Sequence, residues 1–208
     1  TGNKLTERNP YGLTTTYLYD SWNRLIRATD YLGKQVNTTY SESSNLYTVT
    51  STGSNSSSEI VKYDRLKRKT EVWNKDVMGQ WVKKKYLYDK FSRVYKESEP
   101  YTGSSPTQWN ETQYDFYGRV IKTIAHTGKV TNISYSGLYV TVNDGTKSVT
   151  TRKDGMGNVI SVQDPGGTIT YTYYGNGNIK TTNYGGLTTT ITQDGWGRKT
   201  RLSDPTSG

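Results

Sequence analysis

The sequence predicts an all-β chain, an antiparallel β meander of about 18 short strands built from about nine repeats. Three observations carry this. A tyrosine–aspartate–arginine phrase recurs at intervals near 20 residues, like residues stand two apart, and Gly or Pro marks a turn between the runs. Side chains two apart share one face of a strand, and no stretch carries the 3.6-residue apolar stripe of a helix.

The phrase opens as "YLYDSWNRLIRATDYLGKQV" from Tyr17 and returns as "YLYDKFSRVY" from Tyr86, "TQYDFYGRVI" from Thr112 and "TQDGWGRKT" from Thr192. Aligned on the aspartate, the units anchor at Asp20, Ser41, Asp64, Asp89, Asp115, Ser136, Asp154, Tyr174 and Asp194. Some anchors are degenerate, but flanking residues hold the register: Tyr40, Asn45 and Leu46 fall where Tyr19, Arg24 and Leu25 fall one unit earlier. A second turn follows each anchor at Gly33, Gly53, Gly79, Gly103, Gly128, Gly145, Gly167 and Gly186, and Gly12 closes a partial unit at the start. Pro10, Pro100, Pro106 and Pro165 cluster at these glycines, as turn chemistry requires. Between turns lie segments of about six or seven residues, an ordinary strand length. The runs "TTTYLYD", "TITYTYY" and "LTTTITQD" show the expected alternation.

Composition sets a conflict that this spacing resolves. Leu, Ile, Val and Phe total only 36 of 208 residues and the net charge is +9, a balance that tends towards disorder. Against it stand 19 Tyr and 33 Thr, residues suited to a half-buried pleated surface. Cysteine is absent, so disulfides and thiolate metal sites are excluded. No apolar run reaches the ~20 residues of a membrane-spanning helix, and no signal peptide opens the chain. The opening "TGNKLTERNPYG" reads as an internal segment, so a mature or excised piece is expected, with 1–208 forming a single repeat array. Asn37, Asn55, Asn110 and Asn132 lie in glycosylation-type triplets, frequent by chance in so Ser- and Thr-rich a chain.

Within each phrase the residues divide the work. The anchor carboxylate is expected to accept backbone N–H bonds and open the turn. The third residue after it, Gly118, Gly157, Gly177, Gly197 or Asn23, tolerates a left-handed backbone, so Lys67 and Ser92 imply two turns of another kind. Arg24, Arg68, Arg93, Arg119 and Arg198 start the next strand, placed to pair with an Asp or to lie over a neighbouring Tyr. The tyrosine before the anchor (Tyr19, Tyr63, Tyr88, Tyr114) is expected to stack above its equivalents.

Tyr-Asp-x-x-Gly-Arg-Leu with a second glycine turn, recurring along the whole chain, resembles the YD or RHS repeats. These occur in bacterial RHS proteins, insecticidal toxin complexes, wall-associated polymorphic toxins and animal teneurins. The resemblance implies a long β-sheet curling into part of a hollow shell that is secreted or displayed at a bacterial cell surface. It further implies partners: the remaining repeats, and an enclosed cargo such as a C-terminal toxin or a partner shell subunit. The family's closing core motif, its autoproteolytic aspartates and a toxin domain are not among these 208 residues.

Sharper chemistry finds little support. His126 is the only histidine, in the "AHTGK" turn, and no Ser–His–Asp triad can be assembled around it. The anchor aspartates share the repeat spacing, which favours turn capping over paired-acid catalysis or calcium binding. "GNGNIK" and "DGMGNV" lack the helix and Lys–Ser pair of a phosphate loop. No catalytic, cofactor or metal residue is therefore assigned, and no enzyme activity is expected. Lys62 to Lys96 holds 12 basic and 4 acidic residues, interleaved with aromatics. This block is either a solvated wall or a contact for a polyanion or cell-surface glycan through Lys83, Lys85, Arg93 and Trp81. Trp22, Trp73 and Trp109 are further candidates for stacking on carbohydrate. Two function classes follow: a structural, encapsulating shell segment, or a carbohydrate- or polyanion-binding repeat module.

Overall fold

The structure, a computed structural model, describes residues 2–43, 45–54 and 57–206. Asn55, one of the glycosylation-type positions, lies outside these. The described residues form nineteen strands and no helix. They fall into two compact units, Thr1–Glu111 and Thr112–Gly208, with the boundary inside one strand.

The first unit contains β1 (Thr6–Arg8), β2 (Thr14–Tyr19), β3 (Leu25–Thr29), β4 (Gln35–Ser43), β5 (Leu46–Gly53), β6 (Ser58–Tyr63), β7 (Lys69–Lys75), β8 (Trp81–Tyr88), β9 (Val94–Ser98) and the start of β10 (Trp109–Tyr114). Each strand pairs antiparallel with the next. β1 belongs to the partial unit closed by Gly12 and supplies the strand beyond the predicted 18. The second unit contains β11 (Val120–Ile124), β12 (Val130–Ser136), β13 (Tyr139–Asn143), β14 (Ser148–Lys153), β15 (Val159–Asp164), β16 (Gly167–Tyr173), β17 (Ile179–Tyr184), β18 (Leu187–Gln193) and β19 (Lys199–Ser203). These too pair in chain order.

Among the described residues, eleven corners share one hydrogen-bond pattern. The first residue accepts from the N–H three residues on and donates to the carbonyl four residues on; Asp20, for example, accepts from Asn23 and donates to Arg24. This is a type I turn closed by a one-residue bulge, and ladder register slips just before the anchor, as between Leu18 and Tyr19 or Lys62 and Tyr63. The bulge residue must be left-handed. Gly118, Gly157, Gly177 and Gly197 take φ 80–91°, while Asn23, Lys67 and Ser92 take 59–63°. Lys67 and Ser92 therefore do not make different turns. An L-residue can enter that well at a cost of ~1–2 kcal/mol, and the paired backbone hydrogen bonds hold it there.

Two features differ from the sequence reading. Ser41 lies inside β4 opposite Thr48, because β4 and β5 pair over eight positions and turn only after Ser43. Gly33 and Gly79 stand in corners of the same kind as the Tyr-Asp corners, opened by Asp30 and Asp76.

Each unit has two unlike faces. In the first, Tyr40, Val49, Val61 and Val72 lie in register across β4 to β7, with Tyr47 and Tyr63 beside them. The opposite face carries Ile60, Lys62, Glu71, Trp73, Lys83 and Lys85. In the second unit, Tyr135, Val140, Thr151, Val162, Ile169 and Tyr184 form one cross-sheet row, backed by Ser134, Thr141, Thr150, Gln163 and Thr168. Among the described residues only Val61 and Ser98 are buried. The chain exposes 14490 Å², against ~9,800 Å² for a compact globule of its 23.5 kDa. These are walls one sheet thick.

Candidate functional site

The recurring constellation is the corner itself. At Asp20, the N–H groups of Trp22 and Arg24 donate to Oδ1 at 2.9 Å, and Arg24 Nε donates to Oδ2 at 2.8 Å. Asp64 holds Leu66, Arg68 and the Arg68 guanidinium in the same way, and Asp89 holds Phe91, Arg93 and the Arg93 guanidinium. Asp115 with Arg119 and Asp194 with Arg198 repeat the arrangement, each with Nε–Oδ2 at 2.7 Å. At Asp154 the arginine is replaced by Asn158, whose Nδ2 donates to Oδ2 at 3.0 Å. Tyr174 opens a corner without a carboxylate, closed by the Gly177 N–H.

Partial desolvation works to raise the Asp20, Asp64, Asp89 and Asp115 carboxyls. The backbone and guanidinium hydrogen bonds outweigh it and hold each below the ordinary range. At Asp194 the Arg198 N–H is the leading cause of the same lowering, and at Asp154 the Asn158 amide is. A carboxylate so engaged is a poor proton carrier and a good turn cap.

The tyrosines reach across to the neighbouring strand. Tyr40 donates its hydroxyl to the Leu25 carbonyl at 2.8 Å, Tyr88 to Lys69 at 2.6 Å, Tyr135 to Val120 at 3.0 Å and Tyr173 to Val159 at 2.6 Å. In every case the acceptor is the residue just after the preceding unit's Arg or Asn. The arginines lie over these rings: Arg24 Cζ is 4.4 Å from the Tyr40 centroid, Arg68 4.7 Å from Tyr88 and Arg119 4.2 Å from Tyr135. Asp, Arg and the next unit's Tyr thus form one chain of contacts. Rings of successive units do not stack directly, because two strand spacings of ~4.8 Å exceed the reach of an aromatic pair, and the guanidinium fills the gap. Where two corner tyrosines are linked by rings, Tyr47 bridges Tyr40 and Tyr63 at 6.2 and 6.0 Å. Tyr19 donates to the Lys4 carbonyl at 3.0 Å, and Tyr114 lies at the end of β10.

The same caps occur where no Tyr-Asp phrase announces them. Leu32 and Lys34 donate their N–H groups to Asp30, Met78 and Gln80 to Asp76, and Tyr11 and Leu13 to Asn9. The signal was Asp or Asn three residues before Gly, without a tyrosine.

The second candidate is the charged aromatic face of β6 to β8. Lys62 Nζ and Lys83 Nζ stand 3.9 and 4.5 Å from the Trp73 ring centroid, and Trp81 meets Trp73 edge-on at 6.2 Å. Glu71 receives Lys62 at 2.9 Å and the Trp73 indole N–H at 2.9 Å, with Lys85 at 3.9 Å. Burial works to raise the Glu71 carboxyl, but these partners outweigh it and hold it low. Lys83 also donates to the Gly103 carbonyl at 3.0 Å. Lys84 turns to the other face and pairs with Glu97. Arg93 is engaged at its corner with Asp89 and the Phe91 ring, apart from this cluster. Lys83, Lys85 and Trp81 share a face, then, but their charges are largely met within the sheet.

Among the described residues, no group of three or more His, Asp or Glu could hold a metal ion. No helix is long and apolar enough to cross a membrane.

No family model and no curated protein matches the chain. Among solved structures, a Photorhabdus luminescens Tc holotoxin pore with a mutated TccC3 is similar over 94% of this chain and 14% of its own, at 12% identity and a TM-score of 0.41. A TcdB2–TccC3–Cdc42 structure gives the same coverage, identity and score. A porin-like protein from Bacteroides uniformis matches over 91% of this chain and 88% of its own, at 14% identity and a TM-score of 0.26. The chain therefore spans a small fraction of the toxin-complex chains it matches.

Proposed function

We propose that this chain is a wall segment of a repeat-built shell that encloses or presents another polypeptide, acting by structure and not by catalysis. The observation that supports this reading best is the near absence of a core. A chain that repeats one corner throughout and buries only Val61 and Ser98 among its described residues is built to be continued and covered. The toxin-complex structures named above are compatible with it, and the resemblance of the sequence to YD repeats suggests secretion or cell-surface display in a bacterium. Cargo and adjoining repeats are the natural partners. The polyanion reading of Lys83, Lys85 and Trp81 loses weight because Glu71 and the Trp73 ring already engage these groups.

The test is protection. In the polypeptide that carries this segment, a passenger linked to the array should resist added protease. Breaking two corners together, with Asp64→Ala and Asp89→Ala, should expose it. Cleavage of the passenger at one rate with intact and broken corners would exclude an enclosing role.

A further inference from the structure

Along the rim of the Tyr-Asp corners the repeat fails at one place in the first unit, at Ser41, and a cavity occupies it. At the other corners on that rim the chain turns directly after the anchor, but β4 and β5 run on to Ser43 and Leu46. Tyr47 pairs with Tyr63, the last residue before the Asp64 corner, so the hairpin end overhangs that corner. Between them, on the tyrosine face, lies a cavity of about 590 Å³ lined by Tyr40, Glu42, Tyr47, Tyr63, Asp64 and Lys67 among others. That volume falls within the ~300–1,000 Å³ of small-molecule sites.

Its chemistry is specific. Tyr40 and Tyr47 lie nearly parallel, 23° apart, and Tyr63, tilted by 49°, extends the row, which gives an aromatic wall edged by hydroxyls. Asp64 is spent on Leu66 and Arg68 and has little left to offer a ligand. Glu42 and Lys67, in contrast, have no side-chain hydrogen bond or ion pair among the described residues, although both line the cavity. Lys67 is held there at φ 59°, where glycine would fit with less strain. An aromatic floor suits the C–H face of a pyranose ring, a free carboxylate accepts from sugar hydroxyls, and a free ammonium pairs with an acidic group. A purely apolar ligand would leave both charges unmet.

We propose that this cavity binds an acidic oligosaccharide, stacked on Tyr47 and Tyr63 with its carboxylate at Lys67 and its hydroxyls at Glu42. The site is independent of the shell reading, since it rests on a hairpin that departs from the repeat.

Calorimetric titration of the chain at low salt, with trigalacturonate against neutral maltotriose as probes, tests it. Trigalacturonate should bind, and maltotriose should bind about tenfold more weakly or not at all. Lys67→Asn keeps a residue that tolerates the left-handed backbone, and should bring trigalacturonate down to the maltotriose level. Glu42→Gln should weaken both sugars, and Tyr47→Leu should abolish binding. Should Tyr47→Leu fail to fold, Lys67→Asn and Glu42→Gln still decide. No binding of trigalacturonate, equal binding of the two sugars, or unchanged binding by Lys67→Asn would each overturn the assignment.

Discussion

The Tyr-Asp corners of Thr1–Glu111 and those of Thr112–Gly208 trace one backbone with different residues at its most constrained point. The first unit places Asn23, Lys67 and Ser92 there at φ near 60°, and the second places Gly118, Gly157, Gly177 and Gly197 at φ 80–91°. A side chain confines the residue to the narrow left-handed well, whereas glycine relaxes beyond it. The faces diverge likewise. Lys62, Glu71, Trp73 and Lys83 occupy in one unit the kind of surface that hydroxyl pairs occupy in the other, such as Thr141–Thr150 at 2.9 Å and Thr172–Thr181 at 2.6 Å. The corner specifies the fold through backbone geometry and a carboxylate. The strand faces, half exposed on both sides, then accept almost any residue that suits a sheet.

Acid should test what the units share, with the largest effect. The Asp20, Asp64, Asp89, Asp115, Asp154 and Asp194 carboxyls all sit below their ordinary 3.8 when folded. Their contribution is complete above the unfolded value and is lost as pH falls through the lower folded values. Both units should hold their β circular dichroism down to about pH 4 and lose it cooperatively below. Retention of the full signal at pH 2, with an unchanged denaturant midpoint, would remove the carboxylate from its place in the corner.

A single substitution can then separate the units. Gly167 holds φ 144°, and a Cβ there would stand 2.8 Å from Tyr184 Cε2, whose ring carries the hydroxyl bonded to the Gly166 carbonyl. Gly167→Val should cost ~1–3 kcal/mol in backbone strain alone, more with the clash. Gly33→Asn in the first unit, with nothing within 4 Å of its Cβ and a left-handed φ of 77°, should cost under ~1 kcal/mol. Similar losses for both would mean that the glycines serve something other than backbone geometry.

The faces offer a smaller contrast. Glu71→Gln leaves Lys62 and Lys85 without their shared carboxylate and should lower stability by ~1 kcal/mol, with weaker dependence on salt. Thr172→Val removes one exposed hydroxyl pair in the second unit and should stay within ~0.5 kcal/mol. Equal effects, read from denaturant midpoints at low and high salt, would deny that the charged face is held together electrostatically.

The sequence reads most clearly where structure is local. The Asp caps, the bulge glycines and the two-residue alternation involve neighbours within four positions, so Asp115, Gly118 and Arg119 announce their corner by spacing alone. Asn9, Asp30 and Asp76 were legible by the same spacing, but only to a rule freed from the preceding tyrosine. What lies across the ladder on the neighbouring strand was not. The insertion of Arg24 over Tyr40 depends on ladder register, which no short pattern encodes, and so does the Tyr135 bond to Val120. The slip at Ser41 shows the converse. Tyr40 and Leu46 kept a plausible alignment while the turn itself moved past Ser43, and that shift created the cavity beside Asp64.

The smallest effect bears on the comparison most directly. If the two units differ only in what a left-handed residue costs, exchanging residues at that position should exchange the cost. Lys67→Gly relieves the ~1–2 kcal/mol of an L-residue in that well and incurs the ~0.5–1 kcal/mol of extra chain entropy that glycine brings. The net should be a gain of ~0.5 kcal/mol, a rise of about 1–2 °C in Tm at this chain length. Gly157→Lys should do the reverse. Its Cβ would meet nothing within 4 Å, so only the backbone, moved from φ 91° towards 60°, resists it. Ser92 is the less clean choice, because its hydroxyl accepts from Arg68 Nη1 at 3.1 Å and glycine would forfeit that bond. Opposite shifts of similar size from Lys67→Gly and Gly157→Lys would establish one corner with two fillings. A loss from Lys67→Gly would mean that the lysine contributes to the fold through its side chain, and the units would then differ in more than glycine content.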